Sequence, residues 1–166
     1  VKCKSGSGSS RTYKLTVVRK EAEKVSGTLS SKEYTVGDKY ITGITPGTKA
    51  SDFLAGLSAD GGTVKLVGAD GKQNQGLAAT GNKVEVYVDN KKKTSYEVVI
   101  YGDVNGDGEI NVLDMIKVNR HILGLDKLSG TYLVAADANR KGDGLNVLDM
   151  IYINRHALGL STIKQD

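Results

Sequence analysis

Residues 111–125 read NVLDMIKVNRHILGL, and residues 146–160 read NVLDMIYINRHALGL. Twelve of the fifteen positions are identical at an offset of 35. Identity at that density marks a duplicated structural unit, each copy burying a face that it cannot bury alone. Apolar residues recur at helical spacing in both copies: Met115, Val118 and Ile122, with Ile116 and Leu123 beside them, then Met150, Ile153 and Leu158. The pattern predicts an inward apolar stripe on a helix from Val112 to Leu123, closed by Gly124, and the same again ending at Gly159. A short connecting helix is expected within residues 126–136.

An acidic, Gly-containing loop precedes each helix. The first reads Asp103-Val-Asn105-Gly-Asp107-Gly108-Glu109-Ile110-Asn111-Val-Leu-Asp114. This is the spacing of an EF-hand calcium loop. Oxygen side chains fall at positions 1, 3, 5, 9 and 12, namely Asp103, Asn105, Asp107, Asn111 and Asp114. Glu109, at position 7, offers its backbone carbonyl, and Gly108 sits where the backbone turns sharply. Ile110 is expected to point inward and pair with Leu145. Calcium seeks about 6–8 oxygens at about 2.3–2.6 Å, and this spacing wraps them around one point. Two departures matter. Position 12 is Asp where sensors usually carry Glu. No helix precedes the loop, because residues 96–101 read as a strand. Each unit is therefore half an EF-hand, and a sensor that swings two helices apart is disfavoured.

The second loop, Asp137 to Asp149, spans thirteen residues. Asp137, Asn139, Asn146 and Asp149 take positions 1, 3, 9 and 12, and a bulge at Arg140–Gly142 would bring Asp143 into the middle position. The reading predicts two Ca2+ ions, the second weaker or distorted. Its competitor is one ion and an empty second loop.

Working outward, residues 29–101 carry strand patterning at Glu33–Val36, Tyr40–Ile44, Val64–Val67, Lys83–Val88 and Ser95–Tyr101. Pro46-Gly47, Asp60-Gly61-Gly62, Asp70-Gly71 and Asp89-Asn90 are turn signals. A short helix around Asp52–Leu57 would be capped by Ser51 or Thr48. Residues 1–20 read as a hairpin, with strands at Val1–Lys4 and Tyr13–Val18, followed by a polar linker over 21–28. The hairpin is either the tail of a truncated upstream domain or a partner of the next one. The abrupt start with Val makes the chain read as a fragment. The expected fold is therefore multi-domain: a hairpin over 1–22, a small, mainly antiparallel β module with one short helix over 29–101, and a small all-α domain with two half EF-hand repeats over 102–166. Only Gly102 separates the last two, so they are expected to pack with little freedom.

Composition narrows function. The chain has 166 residues, 39% hydrophobic and 25% charged, which suits folded domains rather than disorder. The net charge of +4 divides into +6 over residues 1–101 (16 Lys/Arg against 10 Asp/Glu) and −2 over 102–166 (7 against 9). The lysines are scattered, apart from Lys91-Lys92-Lys93 at a predicted turn, so a solvated basic face is favoured over nucleic-acid binding. Cys3 is the only cysteine, which excludes an internal disulfide. No apolar run approaches a membrane span. The β module contains no His and no catalytic constellation. Calcium ligation accounts for every Asp of the first loop, leaving no spare carboxylate pair for hydrolysis. His121 and His156 lack a second His or Cys at i+4, so they read as helix surface or interface rim rather than zinc ligands.

The duplicated loop-helix, the Gly102-Asp103-Val-Asn105-Gly-Asp107-Gly108 start and the Asn-x-x-Asp closures at 111–114 and 146–149 resemble the dockerin family, over residues 102–166. The preceding domain resembles the small β modules found beside dockerins in surface proteins of anaerobic bacteria. The resemblance implies a non-enzymatic, calcium-dependent assembly module of a secreted or cell-surface bacterial protein, binding a cohesin domain in cellulosome-like assemblies for polysaccharide degradation. A monomer is expected when unbound, and the charge distribution and lack of a long apolar run predict no nucleic-acid or membrane partner. Carried over residue by residue, cohesin contact would fall on Val112, Leu113, Asn119 and Arg120 in the first copy and on Val147, Leu148, Asn154 and Arg155 in the second. Identical pairs would let either helix dock, while Lys117 against Tyr152 and Ile122 against Ala157 break the symmetry. Val-Leu replaces the small hydroxyl pair of the best-known subgroup and implies a more apolar contact. Three rivals stand beside this reading. One takes Val112 and Leu113 as core of their own module, another the calcium loops as stiffeners of a surface adhesin, and the third the Trp-free β module as a carbohydrate binder.

Overall fold

A computed structural model describes residues 26–166, together with the backbone of two short strands, β1 (Lys2–Lys4) and β2 (Ser10–Thr12). These two pair antiparallel, with Lys2 opposite Thr12. The strand expected at residues 13–18 and most of the predicted linker lie outside the described residues.

Within residues 29–98 the chain forms β3 (Leu29–Ser31), β4 (Thr35–Val36), β5 (Tyr40–Thr42), α1 (Ala50–Ala55), β6 (Leu57–Ala59), β7 (Thr63–Val67), β8 (Lys83–Val88) and β9 (Lys91–Val98). Five strands make one sheet in the order β4-β5-β9-β8-β7, and β3 pairs with β6 in a second, two-stranded ladder. Strand β8 shows the cause most plainly. Its Val84, Val86 and Val88 are buried, and the residues between them face outward, the period-2 pattern of a sheet covered on one side. Asp89 and Asn90 carry it into β9 with φ of 49° and 60°, the left-handed pair a two-residue hairpin demands.

The strand pairings of this module are antiparallel except one: β5 and β9 run parallel, Ile41 opposite Val98. Several details differ from expectation. The ladder β3-β6 was not legible in three-residue, Ser-rich segments. Helix α1 starts earlier than predicted, with Lys49 at its N-cap and no side-chain cap; Thr48 donates to the Thr45 carbonyl and Ser51 to Asp52 instead. Lys91–Lys93 open β9 rather than form the turn, and Lys92 pairs with Glu85 at 3.0 Å. Strand β9 stops at Val98, short of Tyr101. Val99 and Ile100, like Val98, are fully buried, because the chain there runs between the sheet and the helices that follow.

Those helices are α2 (Val112–Ile122), α3 (Gly130–Ala136) and α4 (Val147–Ala157). Helices α2 and α4 pack together. Their equivalent residues Val118 and Ile153 are fully buried, with Met115 and Met150 half-buried against the same core. The predicted stripe is narrower than expected: Ile116, Ile122, Leu123 and Leu158 are exposed. Two eleven-residue helices share a single seam, and one seam cannot cover a broad face. Ile110 is buried and Leu145 half-buried against one core, which runs unbroken from Phe53, Leu66 and Val84 through Ile100 and Val104 to Val118, Ile153 and Ile163.

The chain end closes the same joint. Gln165 receives the Tyr101 N–H at 2.8 Å and donates to the Tyr101 carbonyl at 2.9 Å, while its own carbonyl accepts the Gly43 N–H at 2.8 Å. Among the described residues no helix is long and apolar enough to cross a membrane.

Candidate metal centre and exposed helix faces

The first loop is organised by its two buried aspartates. Asn111 caps α2: its side-chain oxygen accepts the Leu113 N–H at 2.8 Å, while Asp114 Oδ2 accepts the Asn111 N–H at 2.9 Å, a reciprocal capping box. Asp114 Oδ1 also accepts the N–H groups of Val104 (2.8 Å) and Asn105 (2.9 Å), tying the loop's start to the helix's first turn. Asp103 accepts four backbone amides. Oδ1 takes Gly106 (2.8 Å) and Asp107 (3.2 Å), and Oδ2 takes Gly108 (3.1 Å) and Thr80 of the β module (2.8 Å). Asp107 Oδ2 receives the side-chain amides of Asn105 (2.7 Å) and Asn111 (3.4 Å), which draws positions 3, 5 and 9 together. The Glu109 side chain is exposed, and its N–H donates to Asp107 Oδ1 at 2.9 Å.

The second loop repeats the capping box with Asn146 and Asp149. Its first six positions keep the register of the first loop: Arg140, with φ of 57°, stands where Gly106 has 79°, and Gly142 donates to Asp137 Oδ2 as Gly108 does to Asp103 Oδ2. The extra residue therefore enters after Gly142 rather than in a bulge over Arg140–Gly142, and the Arg140 guanidinium lies 4.6 Å from the Tyr101 ring centroid. The insertion after Gly142 sets Asp143 beside its neighbours: Asp137, Asp143 and Asp149 each place a carboxylate oxygen within 4.8 Å of the others. Among the described residues this is the one grouping of three such ligands, and it lies in the irregular loop rather than the regular one. Asp137 Oδ2 accepts the Gly142 N–H at 3.1 Å, whereas its buried Oδ1 has no hydrogen-bond partner. The Asn139 side chain turns inward, its Oδ1 accepting the Lys141 N–H at 2.9 Å and its buried Nδ2 unpartnered.

These residues fit a hard divalent cation. Every side chain of the two sets carries an oxygen, the donor calcium prefers. Asp103, Asp114 and Asp149 are fully buried, yet among the described residues no Lys, Arg or His forms an ion pair with them. Burial pushes the Asp103 carboxyl up to about 6, against the backbone amides that hold it down. Burial likewise raises Asp114, opposed by the N–H groups of Asn111, Asn105 and Val104. Buried carboxylates without a counter-charge are costly unless a cation joins them.

Two roles escaped the sequence reading. Asn111 and Asn146 are helix caps, a function their Asn-x-x-Asp setting announces. His121 and His156 are not plain surface. Nδ1 of each accepts a backbone N–H seven residues on, from Leu128 at 2.9 Å and from Ile163 at 3.1 Å, pinning the chain as it returns from each helix. Each helix ends in the same double bond pattern, Gly124 N–H to His121 and Leu125 N–H to Arg120, repeated by Gly159 and Leu160.

Val112 and Leu113 are 53% and 55% exposed, and Val147 and Leu148 are 52% and 45% exposed, so the reading of Val112 and Leu113 as core does not hold. Asn119, Arg120, Asn154 and Arg155 are exposed as well. Each helix thus presents an apolar pair at its first turn and an Asn-Arg pair two turns on.

Residues 101–158 match the family model of the dockerin type I domain. No curated protein and no solved structure matches the chain. Dockerin domains in general bind calcium and dock onto cohesins without catalysing a reaction. The match leaves the β module outside it.

Proposed function

We propose that residues 102–166 dock a cohesin-type partner in a calcium-dependent manner and attach the parent protein to a multi-protein complex or a cell surface outside a bacterial cell. One observation carries the reading: the loop-helix duplication sets two equivalent apolar pairs, Val112-Leu113 and Val147-Leu148, in solvent at the start of α2 and α4. Exposed apolar residues grouped on a small module are what a partner surface would cover. The same exposure weighs against a calcium-stiffened end piece with no partner. On this reading Ca2+ occupies both loops, held by Asp103, Asn105, Asp107, the Glu109 carbonyl, Asn111 and Asp114 in one and by Asp137, Asn139, Asp143, Asn146 and Asp149 in the other. The described part of the chain carries no catalysis of its own, and residues 29–101 position the dockerin.

Calorimetric titration of the full chain against a panel of cohesins, with calcium and with EDTA, tests the reading. Binding to at least one cohesin that is lost in EDTA is expected. No binding across a broad panel, with calcium still raising thermal stability, would leave only the stiffening role. Docking through either helix predicts that changing Val112 and Leu113 alone spares binding, as does changing Val147 and Leu148 alone, and that changing all four removes it. Abolition by the first pair alone refutes the two-way mode.

A further inference from the structure

The two calcium loops are near-copies in sequence, but they sit in different surroundings. The first is cradled by the β module. Gly108 approaches so closely that an added β-carbon would lie 2.6 Å from the Ala78 carbonyl oxygen and 2.8 Å from Leu77 Cβ. A β-carbon on Gly106 would lie 2.9 Å from the Thr80 carbonyl oxygen. Gly47 donates its N–H to the Gly108 carbonyl at 2.8 Å, and Thr80 donates its N–H to Asp103 Oδ2 at 2.8 Å. Thr80 is itself fixed: its buried hydroxyl bonds the Ile100 carbonyl at 3.2 Å and the Ile100 N–H at 3.1 Å. Asn82 braces the same segment, accepting from the Ala79 N–H at 3.2 Å and the Asn74 side chain at 2.6 Å. In the second loop Gly142 and Gly144 have nothing within 4 Å of an added β-carbon. Asp137 accepts only the Gly142 N–H and leaves Oδ1 bare, against four amides on Asp103. Arg140 on Tyr101 holds the fourth position of that loop, not its ligands.

We propose that the Ala78–Asn82 segment of the β module is a positioning element for the first calcium site, holding that loop in its ligand-ready form so that it fills at lower calcium than the second. The proposal rests on the calcium-binding reading of both loops. The physical reason is preorganisation. A loop that is ordered before the ion arrives loses less conformational freedom on binding, and the difference appears as affinity. The irregular length of the second loop is then not the only source of inequality, because the β module bonds a ligand of one copy and reaches the other only through Tyr101 on Arg140.

The test uses the full chain and calcium alone, followed by NMR through the backbone amides of Gly108 and Gly144, one in each loop. In the wild type the Gly108 amide is expected to reach its midpoint at about tenfold lower free calcium than the Gly144 amide. Thr80→Pro deletes the N–H that holds Asp103. It should raise the Gly108 midpoint about tenfold, the effect of losing one hydrogen bond to a charged acceptor, and leave Gly144 in place. Thr80→Ser, which keeps both N–H and hydroxyl, should behave as wild type. Should Thr80→Pro abolish the β-sheet amide signals, Thr80→Val takes its place: it keeps the N–H but loses the hydroxyl strut, and a selective rise at Gly108 of severalfold is expected. Midpoints at Gly108 that do not move in a folded variant, or that move equally at Gly144, overturn the proposal. Absence of any calcium response at either glycine overturns the calcium reading beneath it.

Discussion

Removing calcium should leave Asp103 as a pH-dependent liability. Its carboxyl is raised from 3.8 to about 6, with burial as the largest cause. A raised folded-state value means that the protonated form is favoured on folding. The stability linked to this group is therefore fully present below pH 3.8 and is lost as pH rises through about 6. Roughly two pK steps at about 1.36 kcal/mol each give about 3 kcal/mol of destabilisation at pH 7 in calcium-free protein. Acid titration of other groups would mask this in the wild type alone, so the informative quantity is a difference. Urea unfolding of wild type and Asp103→Asn, in calcium-free buffer at pH 4, 5, 6 and 7, should show the variant gaining about 2.4 kcal/mol relative to wild type across that range, the remainder being lost already by pH 4. The variant starts at a disadvantage, since one amide oxygen cannot accept from Thr80, Gly106, Asp107 and Gly108 as the carboxylate does. That offset does not vary with pH, and only the slope is at issue. Saturating calcium should abolish the gain, because the cation supplies the missing counter-charge. Parallel calcium-free curves, or a gap that closes as pH rises, would refute the electrostatic account of the loop.

Other outcomes follow from the same geometry. Gly108→Ala combines a φ of +87° with a clash against the Ala78 carbonyl, whereas Gly144→Ala has a φ of +82° and open space. Both should destabilise through backbone strain, of order 1–3 kcal/mol, and the first should do so distinctly more in denaturant melts; equal losses would deny the packing of loop on β module. Burial lowers the pKa of His156, so the stability linked to it is present above pH 6.5 and lost as pH falls through the depressed folded value. His156→Leu should flatten the pH dependence of the urea midpoint between pH 8 and 5.5 in saturating calcium, and an unchanged slope would speak against the clasp to Ile163. Val112→Asp with Leu113→Asp should change unfolding free energy by no more than about 0.5 kcal/mol, since both side chains stand in solvent; a large loss in thermal melts would return them to the core.

Much of the site was written locally. Ligand types at loop positions, the sharp-turn glycine, the capping Asn-x-x-Asp and the helix-closing Gly all act within a few residues of chain, so the repeat at offset 35 exposes them to a reader of sequence alone. Strands such as β8 are legible for the same reason: Val84, Val86 and Val88 alternate with outward residues on one element. What lay between distant segments was not legible. The parallel pairing of Ile41 with Val98 joins residues far apart in sequence, and no local pattern encodes it. The clasps of His121 and His156 look like surface residues until the returning chain brings its N–H to them. The exposure of Ile122 and Leu158 follows from how little surface two short helices share. The clearest division concerns the two loops. Sequence alone determined that both would set oxygen-bearing side chains ahead of a helix, because that depends on spacing. Only the tertiary structure decided that Asp103 is held by Thr80 while Asp137 keeps a bare oxygen, because that depends on which loop the β module reaches.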